Sequence, residues 1–213
     1  MNYPLDFLLV VIVLLNFFML GASRMKSVIQ AAGIQGVILG LLPALCHEQL
    51  TVRLFFLCLG AIVLKGIVIP GLLFRAMRDA AIRREVEPLV GFTSSILLGA
   101  LGTGLAVIFS DSLPLDERHA TTLTVPASFS TVLTGFLALT TRKKAISQVV
   151  GYLTLENGIF VFGLLLLEAM PFLVEIGVLL DLFVGVFVMG IILNKIQKTF
   201  SSLDTTRLSA LKE

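Results

Sequence analysis

Charged residues are scarce in this 213-residue chain: they make up 14% of it, whereas hydrophobic residues make up 57%. A soluble domain carries about 25% charged residues, so this composition argues against an ordinary soluble globular fold. Cysteine is also scarce, because only Cys46 and Cys58 are present, with no C-x-x-C spacing and no Cys/His cluster. An iron–sulfur cluster or a zinc site is therefore not expected.

Sequence motifs for nucleotide binding and hydrolysis are missing too. The chain contains no P-loop, no G-x-G-x-x-G after a strand and no nucleophile elbow. We therefore expect no cofactor, no nucleic-acid partner and no catalytic residue of the chain's own.

The hydrophobic residues are grouped in long blocks, and the mean hydropathy is +1.01. A membrane-spanning helix needs about 20 mostly apolar residues. The blocks predict an all-α membrane protein with about seven transmembrane helices in a single membrane domain, 1–213. The predicted spans are 4–22, 27–45, 54–74, 89–110, 124–141, 145–167 and 172–194.

Basic residues lie mainly at one set of span ends. Thirteen of the 16 lysines and arginines fall there, whereas Arg53 and Arg118 lie at the other ends and Lys65 lies within a span. Short cytoplasmic loops carry such an excess of positive charge. The sequence therefore predicts an N-terminus outside and a cytoplasmic C-terminus.

Three ionisable residues fall near the middle of predicted spans: Lys65 in the third, Glu156 in the sixth and Asp181 in the seventh. A charge at mid-bilayer costs about 2.5–3.5 kcal/mol on insertion scales, and such groups mark ion or proton paths. We interpret these three as a proton pathway, with Glu48 and Glu175 at its outer mouth. Two central carboxylates are too few for a metal site, because hard cations need several oxygen ligands.

A structural interpretation of the same residues is also open. Lys65 and one acid could form a pair that only orients helices, although a buried pair is weak evidence of stability. Lys65 could also extend its amine toward the membrane surface if its helix is tilted. Pro70, five residues after Lys65, is expected to free a backbone carbonyl and bend the span.

Two stretches of the chain suggest an internal repeat. "RMKSVIQAAG" (24–33) and "RKKAISQVVG" (142–151) match at four positions at an offset of 118 residues, and Gly40 then matches Gly158. Repeats are common in transporter folds. The candidate copies are 1–76 and 124–195, with an intervening helix 89–110.

"RKKAISQVVGYLTLENGIFVFGLLL" resembles the K subunit of proton-pumping NADH–quinone oxidoreductases and the related small membrane protein, component C, of multisubunit sodium/proton antiporters. The whole chain is similar to component E of the hydrogenase-4 type, a membrane subunit of formate hydrogenlyase-like complexes. "LKGIVIPGLL", "GYLTLENG", "LVEIG" and the ending "SSLDTTRLSALKE" carry that resemblance.

The resemblance implies a non-catalytic subunit that couples electron transfer to proton, or sodium, translocation. It implies as partners antiporter-like membrane subunits, the soluble arm of a hydrogenase and lipid, and it implies a location in the inner (plasma) membrane of a prokaryote. The glycine-rich stretches 33–40 and 99–104 are candidate faces for those subunits or for packing among the chain's own helices. Alternatives are a stand-alone transporter, a structural anchor for the soluble arm, and a subunit of a cation antiporter without a redox arm.

Overall fold

The computed structural model describes residues 3–46, 51–79, 86, 88–113 and 123–164. These residues form helices and contain no β-strand, apart from a single bridge between Pro88 and Arg142. Apolar sequences adopt helices in a membrane because every backbone polar group must then be bonded within its own segment. The α-helices are α1 (Tyr3–Gly21), α2 (Met25–Cys46), α3 (Val52–Ala61), α4 (Ile69–Asp79), α5 (Phe92–Asp111), α6 (Thr124–Thr141) and α7 (Ala145–Gly163).

Helices α3 and α4 are joined without a break by a π-helical segment, Ile62–Val68. In this segment the backbone bonds skip one residue more than in an α-helix, and the Ile69 N–H bonds to the Leu64 carbonyl. The segment ends just before Pro70, which has no N–H to offer to the carbonyl four residues earlier. The helix is thus locally widened just before the proline, and such π segments occur often at functional sites. The bend expected from Pro70 stays a prediction.

Five helical segments are long and apolar enough to cross a membrane. They are Tyr3–Gly21, Met25–Cys46, Leu54–Arg78, Phe92–Asp111 and Thr124–Thr141, and they coincide with the first five predicted spans. The sixth predicted span, 145–167, contains α7, which has 19 residues and is not among these five segments. The seventh lies outside the described residues, so the count of seven and the orientation of the termini stay predictions.

Close helix contacts depend on glycine where two helices cross. A Cβ atom built on Gly158 of α7 would lie 2.6 Å from the Val132 backbone nitrogen of α6. Gly135 of α6 likewise packs directly on the Leu155 backbone of α7. Glycine allows two backbones to approach each other in this way inside a membrane.

The buried apolar side chains form two clusters. One contains Met25, Ile29 and Leu73 together with Ile146. The other contains Leu9, Ile12 and Leu39 together with Val161. Helices α1, α2 and α7 each contribute to both clusters, so each of these helices has a mid-section between them.

Helix α5 lies at the edge of this bundle. Its buried residues are Ser95, Gly99 and Ala106, whereas Leu97, Leu101, Leu105 and Ile108 are exposed. In a membrane such an apolar surface is suited to lipid or to another membrane protein of a complex.

Candidate functional site

Lys65 lies within the π-helical segment and is buried, with 7% of its surface exposed. Its Nζ atom lies 5.1 Å from the centroid of the Phe160 ring, within the range of a cation–π contact. The same atom donates a hydrogen bond to Asn157 Oδ1 at 3.3 Å. The lysine therefore points into the bundle toward α7, and its amine is held inside the protein.

A series of buried amides continues from that bond. Asn157 Nδ2 donates to Gln35 Oε1 at 3.1 Å, and Gln35 Nε2 donates to Asn16 Oδ1 at 2.9 Å. Asn16 Nδ2 then donates to the Thr131 hydroxyl at 2.8 Å. The four bonds connect the π segment with α7, α2, α1 and α6.

We call Asn16, Gln35, Lys65, Thr131 and Asn157 the polar layer. None of them has more than 7% of its surface exposed. The series ends inside α6, where the Thr131 hydroxyl donates to the Ala127 carbonyl at 2.6 Å. Buried polar groups need such partners, because an unsatisfied one costs about 1–3 kcal/mol.

The polar layer lies at mid-height in the bundle. On each of three helices its amide residue falls between members of the two hydrophobic clusters, which places the layer between those clusters. The flanking pairs are Ile12 and Met19 around Asn16, Ala32 and Ile38 around Gln35, and Leu153 and Val161 around Asn157.

Glycines on α2 bring this helix onto the π segment. A Cβ atom built on Gly36 would lie 2.7 Å from the carbonyl carbon, the carbonyl oxygen and the Cβ of Lys65. Gly40 faces Ile62 in the same way, and Gly33 faces Pro70. The stretch 33–40, a candidate face for partner subunits, is thus used for packing within the chain itself.

The second glycine-rich stretch, 99–104, is used differently along its length. Gly99 packs on the Leu20 side chain and Gly102 on Leu133, so two of its glycines also serve contacts within the chain. A Cβ atom built on Gly104 would meet nothing within 4 Å. Of the three glycines in this stretch, only Gly104 therefore faces open space on the exposed side of α5.

Glu156 precedes Asn157 on α7 and is half-buried. Tyr152, one helical turn earlier, directs its hydroxyl toward Glu156 Oε1 at 3.5 Å. Asn157, which accepts the bond from Lys65, directly follows Glu156 in the chain. Lys65 is therefore bonded to the neighbour of Glu156, although consecutive residues of a helix face different directions.

Other predicted site residues cannot be placed. Asp181 and the candidate mouth residues Glu48 and Glu175 lie outside the described residues. Among the residues that are described, no group of three or more His, Cys, Asp or Glu side chains could hold a metal ion. Cys46 and Cys58 do not form a disulfide, and Cys58 is buried.

Arg142, in the turn between α6 and α7, is a buried basic residue with 3% of its surface exposed. Its Nη2 donates to the Leu20 carbonyl at 2.7 Å, and its guanidinium carbon lies 5.4 Å from the centroid of the Phe92 ring. Within the described part of the chain, Nη1 has no hydrogen-bond partner. Burial lowers the pKa of this guanidinium from its ordinary value, but arginine stays protonated in proteins. Arg142 thus caps the last turn of α1 rather than serving only as a surface charge.

The sequence predictions identify the charged residues of the site and miss most of the amides. Asn157 stands out in sequence only as a polar neighbour of Glu156, and nothing in a search for ionisable groups selects Asn16, Gln35 or Thr131. A signal is present nevertheless, because Asn16 and Gln35 interrupt otherwise apolar runs near the middle of their spans.

The fold and the polar layer define a helical membrane protein with an ionisable group held in its interior. An uncharacterized protein of Mycobacterium tuberculosis, Rv0085, is 31% identical over 204 residues, which cover 95% of this chain and 93% of the relative. Hydrogenase-4 component E of Escherichia coli and that of Shigella flexneri are each 28% identical over 153 residues, covering 72% of this chain and 71% of the relative.

The chain belongs to the same protein family as the Mycobacterium tuberculosis relative, and its similarity to hydrogenase-4 component E supports the resemblance seen in the sequence. No protein-family model matches the chain, and no solved structure matches it. The likeness of its C-terminal half to the K subunit of NADH–quinone oxidoreductases and to its antiporter counterpart stays a prediction.

Proposed function

We propose that this protein is an integral membrane subunit of a hydrogenase-4-type complex and contributes to coupling electron transfer to proton translocation. Glu156, Asp181 and Lys65 are the proposed protonatable groups. The partners are antiporter-like membrane subunits and the soluble hydrogenase arm, which carries the redox cofactors. This subunit has no active site of its own in the proposal.

The observation that carries the proposal is the placement of Lys65. Its amine is buried at mid-height, in a π-helical segment, and bonded to Asn157, the neighbour of Glu156 on α7. Ionisable groups in that position mark proton relays in membrane proteins. A cavity of about 10 Å³ beside Lys65 and Asn157 has room for about one water molecule.

The homology supports the setting of the proposal. The name of the Escherichia coli and Shigella flexneri relatives identifies them as components of hydrogenase-4. A membrane subunit of such a complex experiences the redox reaction only through its neighbours. A change in their charge could therefore shift the protonation of Glu156, Asp181 and Lys65.

The proposal is tested by proton pumping in membrane vesicles that contain the intact complex. Glu156→Gln and Asp181→Asn are compared with wild type and with Asp111→Asn, which makes the same chemical change at the exposed end of α5. The electron-transfer rate and the amount of each protein of the complex are measured in the same vesicles. We expect fewer protons moved per electron in the first two variants and a wild-type ratio in Asp111→Asn.

Unchanged pumping and turnover in both Glu156→Gln and Asp181→Asn would instead favour the structural anchor. The proteins that copurify with the tagged chain distinguish the remaining alternatives. Hydrogenase subunits support the present proposal, whereas antiporter subunits alone support an antiporter without a redox arm. A single active chain would indicate a stand-alone transporter.

A further inference from the structure

The polar layer has a direction that follows from chemistry. A lysine ammonium only donates hydrogen bonds, whereas an amide side chain has an oxygen that accepts and a nitrogen that donates. Asn157 must therefore turn its oxygen to Lys65 and its nitrogen to Gln35. The same requirement fixes Gln35 and then Asn16, and the distances of 3.3, 3.1 and 2.9 Å agree with it.

We propose that Asn157, Gln35, Asn16 and Thr131 act as one directional hydrogen-bond chain that positions the Lys65 amine. The proposal rests on the proposed function in treating Lys65 as a working group. The four residues are positioning residues, since they act through Lys65. Amides do not exchange protons as carboxylates and amines do, so the chain orients the amine and does not conduct protons.

Burial makes the chain act as a unit. Asn16, Gln35 and Asn157 are each bonded on both sides, and each has at most 4% of its surface exposed. Burial limits the replacement of a missing partner by water, and bonds within such a network polarise and reinforce each other. A change at Thr131 on α6 should therefore alter the amine of Lys65, although the two residues are separated by three amides.

Substitutions at Asn157 distinguish a directional chain from simple packing. Leucine at this position removes one acceptor of Lys65, Asn157 Oδ1, and the donor to Gln35 Oε1. Aspartate has nearly the same shape as asparagine and can accept hydrogen bonds from both Lys65 and Gln35. For this, the side-chain amides of Gln35 and Asn16 must rotate so that their oxygen and nitrogen atoms exchange places. The Thr131 hydroxyl must then donate to Asn16 instead of the Ala127 carbonyl, and every member of the chain is bonded again.

The experiment measures the reactivity of the Lys65 amine in the full-length protein within native membranes. Formaldehyde and dimethylamine–borane, both small and uncharged, methylate accessible amines, and mass spectrometry of the peptide 54–75 gives the rate at Lys65. The variants are Asn157→Leu, Asn157→Asp and Thr131→Val. Thr140→Val is the matched control, because Thr140 is exposed on the same helix and bonds only to backbone carbonyls.

We expect Asn157→Leu to raise the Lys65 methylation rate about tenfold, the effect of one lost bond to a charged group. Thr131→Val should raise it about twofold to threefold. Asn157→Asp and Thr140→Val should stay at or below the wild-type rate. The isosteric Thr131→Val and Asn157→Asp keep the test meaningful if Asn157→Leu fails to accumulate in the membrane.

Equal methylation rates for Thr131→Val and Thr140→Val would show that Thr131 does not influence the Lys65 amine. Only the direct Lys65–Asn157 bond would then remain of the proposal. A methylation rate as high in Asn157→Asp as in Asn157→Leu would show that the hydrogen bonds of the chain cannot reverse their direction, and it would contradict the proposal. The reactivity does not depend on pumping. The predicted rates together with unaltered pumping in the acid variants would therefore refute the proposed function alone.

Discussion

Gly36 is the position at which a single methyl group should disturb the site most directly. It lies on α2 next to Gln35, and its missing side chain would occupy the space of the Lys65 backbone. In a Gly36→Ala variant the new Cβ would meet three Lys65 atoms at 2.7 Å. Two of the three are backbone atoms of a helix, so no rotamer change can remove the clash.

The size of the effect follows from that distance. Ordinary van der Waals contact begins at 3.4 Å, so α2 and the π segment must separate locally by most of an ångström. Overpacking of this kind costs about 1–3 kcal/mol. Gln35 moves with Gly36, and its 3.1 Å bond to Asn157 has little room to lengthen. Loss of that bond adds about 1 kcal/mol.

The assay uses the buried thiol of Cys58, which has 8% of its surface exposed. Cys58 lies on α3, which continues directly into the π segment that contains Lys65. Membranes are heated in steps and pulsed with a maleimide, and labelling of Cys58 is followed by mass spectrometry. A chain of this size loses about 2–4 °C of unfolding midpoint per kcal/mol, so Gly36→Ala should label at a midpoint several degrees lower.

Gly71→Ala on α4 is the matched control for this measurement. A Cβ atom there would meet nothing within 4 Å, and alanine is favoured over glycine in a helix by about 1 kcal/mol. We expect an unchanged or higher midpoint for it. A Gly36→Ala midpoint equal to that of wild type or of Gly71→Ala would refute the reasoning from close approach.

Two further predictions use the same labelling assay. Arg142→Lys should lower the midpoint by several degrees, since lysine cannot both reach the Leu20 carbonyl and stack on Phe92. Lys143→Arg, a change at the exposed neighbouring position, should leave the midpoint unchanged. Equal midpoints for the two variants would show that Arg142 does not cap α1. Gly158→Ala should destabilise the α6–α7 contact by about 1–3 kcal/mol, because its Cβ would lie 2.6 Å from the Val132 nitrogen. Gly163→Ala is the control for this variant, because a Cβ atom at Gly163 would meet nothing within 4 Å. Equal midpoints for Gly158→Ala and Gly163→Ala would contradict the close contact between α6 and α7.

Hydropathy predicts the helices well, because a long apolar segment inside a membrane has few alternatives to a helix. The first five predicted spans agree with observed helices to within a few residues at most ends. Hydropathy also identifies Lys65 and Glu156, since a charge inside an apolar run is conspicuous. Which residues meet across the bundle is not predictable, because periodicity gives the faces of one helix and not the neighbours of those faces.

The amides show this limit most clearly. Asn16 and Gln35 are neutral, so a search for ionisable groups passes over them, and they lie 19 residues apart on different helices. Their bond depends on how α1 packs on α2, and Gly36 controls part of that packing from the other side. The glycines of 33–40 are likewise ambiguous in sequence, because small residues suit internal and external helix contacts equally well.

The polar layer also limits the kinds of ion or solute that the protein could transport. A solute site offers available polar groups around a pocket of about 300–1,000 Å³. In the part of the chain that the structure describes, the amides bond to each other, and the cavity beside Lys65 measures about 10 Å³. A hard cation such as sodium would need several oxygen ligands to converge, yet the amide oxygens are already engaged by nitrogens. A proton needs neither a pocket nor a ligand shell, because an amine or a carboxylate carries it covalently. Within the described residues, the polar layer is therefore better suited to hold an ionisable group, as in the proposed proton transfer, than to bind a solute or a sodium ion.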